Sequence, residues 1–157
     1  MPRFPALDDP LITTFGRLVE AYSSLDRRLG RSLEESCGIP HTWFEVLLRL
    51  VRADGARLSM SALAGQVALT TGGVTRLLNR MIEAGYVERR PCPTDRRVAF
   101  AALTPAGREK VEEAAAVHSR DLEEVFAGFA TEDRRSLDEL LDRLRVGSSP
   151  PPPQPGR

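Results

Sequence analysis

Cysteine and lysine are scarce in this sequence, and long apolar runs are missing from it. Among 157 residues there are two cysteines, Cys37 and Cys92, and one lysine, Lys110. Two cysteines are too few for a disulfide framework, so we expect a reducing, cytoplasmic location. The longest uncharged stretch, residues 58–75, holds many hydroxyl side chains and three glycines, which excludes a membrane span. Residues 1–9 lack the pattern of a signal peptide.

The chain also lacks net charge, since 22 basic residues balance 22 acidic ones. This excludes a bulk polycation that binds nucleic acid by charge alone, but a local basic patch remains possible. Residues 70–110 hold eight basic and four acidic side chains. The neutral chain is therefore polarised, with an excess of four positive charges in this segment. Its length and 41% hydrophobic content predict one globular domain.

A long first helix is predicted from Pro10, with Asp9 as its N-cap. Gly38 and Pro40 end it. The helix carries an apolar seam at alternating spacings of four and three residues. This seam can pack in a core or against a partner subunit. The seam consists of Leu11, Phe15, Leu18, Tyr22, Leu25 and Leu29.

Three shorter helices are predicted next. Residues 42–45 fit a capping box before the second helix, and Ser59 can cap the third. Thr70 or Thr71 can cap the fourth, which Gly85 ends as a C-cap.

A β-hairpin and two more helices complete the predicted order. Strands at 86–91 and 97–103 flank a turn-rich tip. A fifth helix has an apolar face within 104–129, and a sixth begins at Thr131. Residues 147–157, rich in proline, predict a disordered tail. Four helices, a hairpin and two helices describe a winged helix-turn-helix, mainly α with a small β-hairpin wing, in the α+β class.

The fourth helix has the side chains of a base-reading surface. Its apolar residues occupy one face, and Gly72 and Gly73 in its first turn allow close approach to a phosphate or base edge. The other face presents groups that can donate to guanine, pair with adenine or touch a thymine methyl, namely Thr75, Arg76, Asn79 and Arg80.

The hairpin tip carries Asp95, Arg96 and Arg97. In an extended strand the first and third of these point the same way. We expect Asp95 to hold the Arg97 guanidinium in a bidentate pair, a pose that suits a narrow, electronegative minor groove. An ordinary exposed ion pair is the alternative.

These segments resemble the MarR (multiple antibiotic resistance regulator) family. The matching residues are T-R-L-L-N-R-M-I-E-A-G-Y-V-E-R at 75–89, D-R-R at 95–97 and L-T-P-A-G at 103–107. The resemblance covers about residues 10–145, the ends by helix pattern only. It implies a single MarR-type domain over 1–146.

By this resemblance, the protein is a homodimeric winged-helix regulator, intertwined through helices in 10–37 and 104–146, with a DNA-binding lobe at 40–103. It implies a ligand-responsive repressor on a pseudo-palindromic duplex DNA operator. The implied DNA contacts are Ser59, Thr70, Thr71, Gly72, Gly73, Thr75, Arg76, Asn79, Arg80, Arg89, Arg90, Asp95, Arg96 and Arg97. The implied dimer contacts are Leu11, Phe15, Leu18, Tyr22, Leu25, Leu122, Phe126, Leu137 and Leu141.

A small phenolic or aromatic-acid ligand is also implied by the resemblance. Arg17 and Tyr22 on the first helix, with His41 and Trp43 entering the second, are its candidate contacts. The alternative places Trp43 in the core, Tyr22 in the dimer seam and Arg17 in solvent.

Other functions have weaker support. No nucleophile elbow, P-loop or dinucleotide fingerprint is present, so no enzyme, metal or cofactor is predicted. Cys37, His41, Cys92 and His118 form a zinc-ligand inventory that nothing in the sequence brings together. A thiol sensor through Cys37 or Cys92, and a winged helix that docks on protein, remain open.

Overall fold

The structure is a computed structural model that describes residues 9–66, 71–92, 95 and 97–147. Its helices are α1 (Pro10–Cys37), α2 (His41–Arg52), α3 (Met60–Gln66), α4 (Thr71–Glu83), α5 (Pro105–Val125) and α6 (Thr131–Gly147), and its strands are β1 (Arg57–Ser59), β2 (Val87–Pro91) and β3 (Ala99–Leu103). The predicted winged helix-turn-helix class is confirmed. No described helix is long and apolar enough to span a membrane.

The helix ends follow local chemistry at most of the predicted positions. The Asp9 carboxylate accepts a hydrogen bond from the Leu11 amide at 2.8 Å, as expected of an N-cap. Gly38 ends α1 in the left-handed conformation, with a φ of 69°, which glycine adopts without steric cost. The Ser59 hydroxyl accepts from the Ala62 amide at 3.1 Å and so caps α3.

Several predicted boundaries are wrong, and the two wing strands begin at Val87 and Ala99 and not at 86 and 97. The second helix begins at His41 after Pro40 and has no side-chain cap, because the proline side chain has no atom that can accept a hydrogen bond. The fifth helix ends at Val125, and Phe129 follows in a turn. Gly147 belongs to α6, and the remaining tail lies outside the described residues.

The wing contains one strand more than predicted. β3 lies between β1 and β2 and is antiparallel to both. The predicted hairpin is therefore present, and β1, which immediately precedes α3, completes the sheet. This pairing attaches the start of the helix-turn-helix to the base of the wing.

The chain forms two compact units, one up to Asp121 and one from Leu122. The first unit has a core in which α1, α2, α3, α4 and β2 all take part, with Leu33, Leu47, Leu63, Leu78 and Val87 at 1% exposure or less. The second unit contains α6 and the turn before it, where Phe126 and Phe129 meet edge to face at 5.5 Å. In this unit Leu137, Leu140, Leu141 and Leu144 are all exposed.

Candidate nucleic-acid interface

The fourth helix is fixed by its apolar face. Val74, Leu78 and Met81 are each 1% exposed or less and belong to the core of the first unit. Arg76, Asn79 and Arg80 lie on the opposite side of α4 and are exposed. Helical periodicity thus separates buried apolar side chains from a polar face, as the sequence predicted.

The polar side chains of α4 differ in what they contact. Arg76 makes no hydrogen bond or ion pair within the described part of the chain. Asn79 accepts a hydrogen bond from Arg89 of β2, with Nη2 and Oδ1 2.7 Å apart. The Arg80 guanidinium lies over the Trp43 ring at 5.8 Å, a cation–π contact. Sequence reasoning missed both contacts because they join separate elements.

The wing strand β2 carries two further basic side chains. Arg89 and Arg90 are exposed on β2, opposite Ala101 and Phe100 of β3. Arg90 is engaged locally, because its Nε donates to Glu88 at 2.8 Å. Arg89 is the one that reaches α4.

Asp95 positions the wing tip through the backbone. Its carboxylate accepts a hydrogen bond from the backbone amide of Arg97 at 2.9 Å, and its carbonyl accepts from the Val98 amide at 3.0 Å. The expected bidentate pair with the Arg97 guanidinium is absent among the described residues. A short aspartate side chain reaches the amide two residues on more easily than a guanidinium. The Arg97 side chain is consequently exposed.

The L-T-P-A-G segment locks the end of α4 to the start of α5. The Thr104 hydroxyl donates to the Gly85 carbonyl at 2.7 Å and accepts from the Gly107 amide at 3.0 Å. The Thr104 amide donates to the Tyr86 carbonyl at 3.2 Å. Gly107 permits this approach, since a Cβ there would lie 2.0 Å from the Tyr86 oxygen.

The remaining predicted DNA contacts that the structure describes are Ser59, Gly72, Gly73 and Thr75. Ser59 and Arg97 line one groove of about 180 Å³ between α3 and the wing. Gly72 is exposed and Gly73 and Thr75 are half-buried. Thr70, Arg96 and the side chain of Thr71 lie outside the described residues.

None of the grooves reported for the described residues is lined by all four candidate ligand contacts. His41 lines a groove of about 360 Å³ between α1 and α2, and its Nδ1 lies 2.7 Å from an Asp26 carboxylate oxygen. The residues that line this groove include neither Arg17 nor Tyr22 nor Trp43. Arg17 and Tyr22 are exposed on α1, whereas Trp43 is 9% exposed and packs edge-on against Tyr86.

A second histidine faces His41, which the sequence did not reveal. The His41 and His118 rings are 5.6 Å apart, and His118 also packs on Phe44 at 4.9 Å. Burial, and then the nearby His41, lower the pKa of His118. The described residues contain no cluster of three potential metal ligands.

The two cysteines lie in different parts of the fold, Cys37 at the end of α1 and Cys92 directly after β2. Cys37 is 7% exposed, and its pKa is raised by burial and then by Glu113. A raised pKa disfavours the reactive thiolate. Cys92 is half-buried at the end of β2.

The predicted dimer residues expose much of their apolar surface. On α1, Leu11, Phe15 and Tyr22 are 76%, 66% and 62% exposed, whereas Leu29 is 5% exposed. The seam therefore enters the core only near the end of α1. In the second unit, Phe126, Leu137 and Leu141 line a groove of about 230 Å³.

A helix with an exposed polar face, α4, which we call the reading helix, and a basic wing beside it define a winged-helix DNA-binding protein. Comparison with known proteins gives the family. Residues 38–98 match the model "MarR family". The chain is 33% identical over 121 residues to the uncharacterized HTH-type transcriptional regulator YdgJ of Bacillus subtilis, covering 77% of this chain and 73% of that one. It is 28% identical over 113 residues to the HTH-type transcriptional repressor YetL of Bacillus subtilis, covering 69% and 68%.

A solved structure is similar over most of the chain. Sco3205, a MarR family transcriptional regulator from Streptomyces coelicolor crystallised in complex with DNA, superposes with a TM-score of 0.80 at 29% identity, covering 88% of this chain and 90% of that one. The chain belongs to the MarR family. It is a DNA-binding transcriptional regulator, and the relatives named here are regulators rather than enzymes.

Proposed function

We propose that the protein is a homodimeric, sequence-specific repressor that binds a pseudo-palindromic operator. The exposed face of α4, with Arg76 unengaged by described neighbours, is the observation that carries this proposal. Each α4 enters a major groove, and each wing inserts Arg97 into a flanking minor groove. Two-fold symmetry sets the half-sites about one helical turn, ~10 bp, apart. The protein acts in the cytoplasm, the reducing location expected from its two cysteines.

The exposed apolar residues support a dimer. Leu11 and Phe15 on α1 expose 76% and 66% of their surface, and the four leucines of α6 expose 36–57%. When a partner covers apolar side chains at this spacing, the association is stabilised by about 25 cal/mol for each Å² of apolar surface removed from water. A second copy of the chain offers the same seam and satisfies two-fold symmetry.

Repression and release complete the proposal. A repressor role agrees with the similarity to YetL, which is named a repressor. An aromatic-acid or phenolic ligand would release DNA by binding more tightly to a dimer whose two reading helices do not match the operator spacing. Arg17, Tyr22, His41 and Trp43 remain its proposed contacts, with His41 in the groove between α1 and α2.

Selection of bound duplexes from a random DNA pool tests operator binding. The native protein is expected to enrich an inverted repeat, and binding should weaken steeply with salt. Arg97→Ala, at an exposed side chain, should weaken binding and lose any flanking A·T preference while the protein stays folded. No enrichment by folded protein at low salt would refute the function and favour a protein-docking module. Unchanged affinity in Arg97→Ala would refute the minor-groove role.

Sedimentation equilibrium tests the dimer. The double variant Leu18→Glu with Leu25→Glu should sediment as a monomer or fail to fold, because it places charge in the seam. Ser24→Glu adds a charge at an exposed α1 position outside the seam and should stay dimeric. A folded, dimeric double variant would exclude the seam as the interface.

A further inference from the structure

The contact between Asn79 and Arg89 joins the reading helix to the wing. Arg89 Nη2 donates to Asn79 Oδ1 at 2.7 Å. Both side chains are exposed, so the contact lies on the surface that faces DNA in the proposed function. A guanidinium has donors and no acceptor. The oxygen of the Asn79 amide must therefore face Arg89, and its NH₂ group is left for other partners.

This orientation limits what Asn79 can read. Free asparagine recognises adenine with both amide atoms, because the oxygen accepts from N6 and the nitrogen donates to N7. Here one of the two lone pairs on the oxygen already accepts a charge-assisted hydrogen bond, which is about twice as strong as a neutral one, whereas both NH₂ donors remain available. Guanine presents two acceptors to these donors in the major groove, N7 and O6, and thymine presents O4, whereas adenine presents N7 alone and needs the amide oxygen as the acceptor for its N6. The Arg89 contact therefore favours guanine or thymine over adenine.

We propose that Asn79 is a specificity-determining residue that reads guanine, or thymine through O4, by donation, and that Arg89 is the residue that positions it. This inference rests on the proposed operator binding. It differs from the sequence-based expectation that the asparagine pairs with adenine. It also gives Arg89 a role other than neutralising a phosphate.

Arg90 is the matched control for Arg89. Both arginines are exposed on β2, but Arg90 donates to Glu88 of its own strand at 2.8 Å. An arginine that only contacts phosphate contributes equally to all sequences. Arg90→Leu should therefore leave every base preference in place, and any loss of affinity should be equal for all sequences.

Duplex selection with four variants tests the proposal. Comparing the native protein with Asn79→Ala identifies the operator position that Asn79 reads, where we expect guanine or thymine. Arg89→Leu should free the amide and reduce the preference for that base over adenine by about tenfold. Asn79→Asp keeps an acceptor for Arg89 but has no donors, so the preferred base should change to cytosine, whose N4 donates. Circular dichroism and thermal midpoints check that each variant folds.

The outcomes separate this inference from the proposed function. If native protein enriches an inverted repeat but Asn79→Ala leaves its sequence unchanged, only the present inference fails. It also fails if the position selects adenine or cytosine, or if Arg89→Leu behaves as Arg90→Leu does. If folded native protein enriches nothing, the proposed function itself fails.

Discussion

Gly107 allows a close backbone approach between the start of α5 and the segment that follows α4. A Cβ built on Gly107 would lie 2.0 Å from the Tyr86 carbonyl oxygen and 3.1 Å from Leu103 Cδ1. Carbon and oxygen normally approach to about 3.3 Å. Gly107→Ala therefore requires the start of α5 and the backbone after α4 to separate by more than 1 Å, roughly the difference between those distances.

The cost follows from what this separation disrupts. The Thr104 amide bond to Tyr86 and the Thr104 hydroxyl bond to Gly85, at 3.2 and 2.7 Å, both span the gap. Each is worth about 1 kcal/mol, and overpacking of a well-packed site adds about 1–3 kcal/mol. We expect Gly107→Ala to lower the free energy of unfolding by about 3–5 kcal/mol.

Urea unfolding at one fixed protein concentration measures this loss. Gly65→Ala is the control, because Gly65 lies in α3 with no described atom within 4 Å of an added Cβ. It should be neutral or stabilising by up to ~1 kcal/mol, since alanine favours the helix. A loss below about 0.5 kcal/mol for Gly107→Ala, the range of ordinary surface substitutions, would refute the argument from close approach.

Two further predictions concern titratable groups. Burial and then His41 lower the pKa of His118, so as the pH falls through about 6.5 the unfolded chain takes up a proton before the folded chain does. The free energy of unfolding should therefore decrease over that range. His118→Gln should make this decrease smaller when urea unfolding is measured at several pH values. If the variant keeps the full pH dependence, another group causes it. Burial and then Glu113 raise the pKa of Cys37, so in Cys92→Ser protein iodoacetamide should alkylate it far more slowly than after unfolding in urea. Equal rates would contradict its burial.

The part of the candidate interface that lies within a single helix was predictable from the sequence. The periodicity of α4 was enough to assign Val74 and Leu78 to the core and Arg76 and Asn79 to the outer face, because a helix fixes the direction of its side chains. The contact of Asn79 with Arg89 was not predictable, since ten residues and a turn separate them. The expected Asp95–Arg97 ion pair failed for a local reason, because the carboxylate bonds the backbone amide instead.

The sequence by itself determined the order of helices and wing, the caps at Asp9 and Ser59, and the family. Spacing and capping are local properties, and they act on residues close in the chain. Only the tertiary structure decided which groups from distant elements meet: β1 with β3, His41 with His118, and Arg89 with Asn79. Such contacts depend on how buried faces pack, and packing fixes positions that no local pattern records.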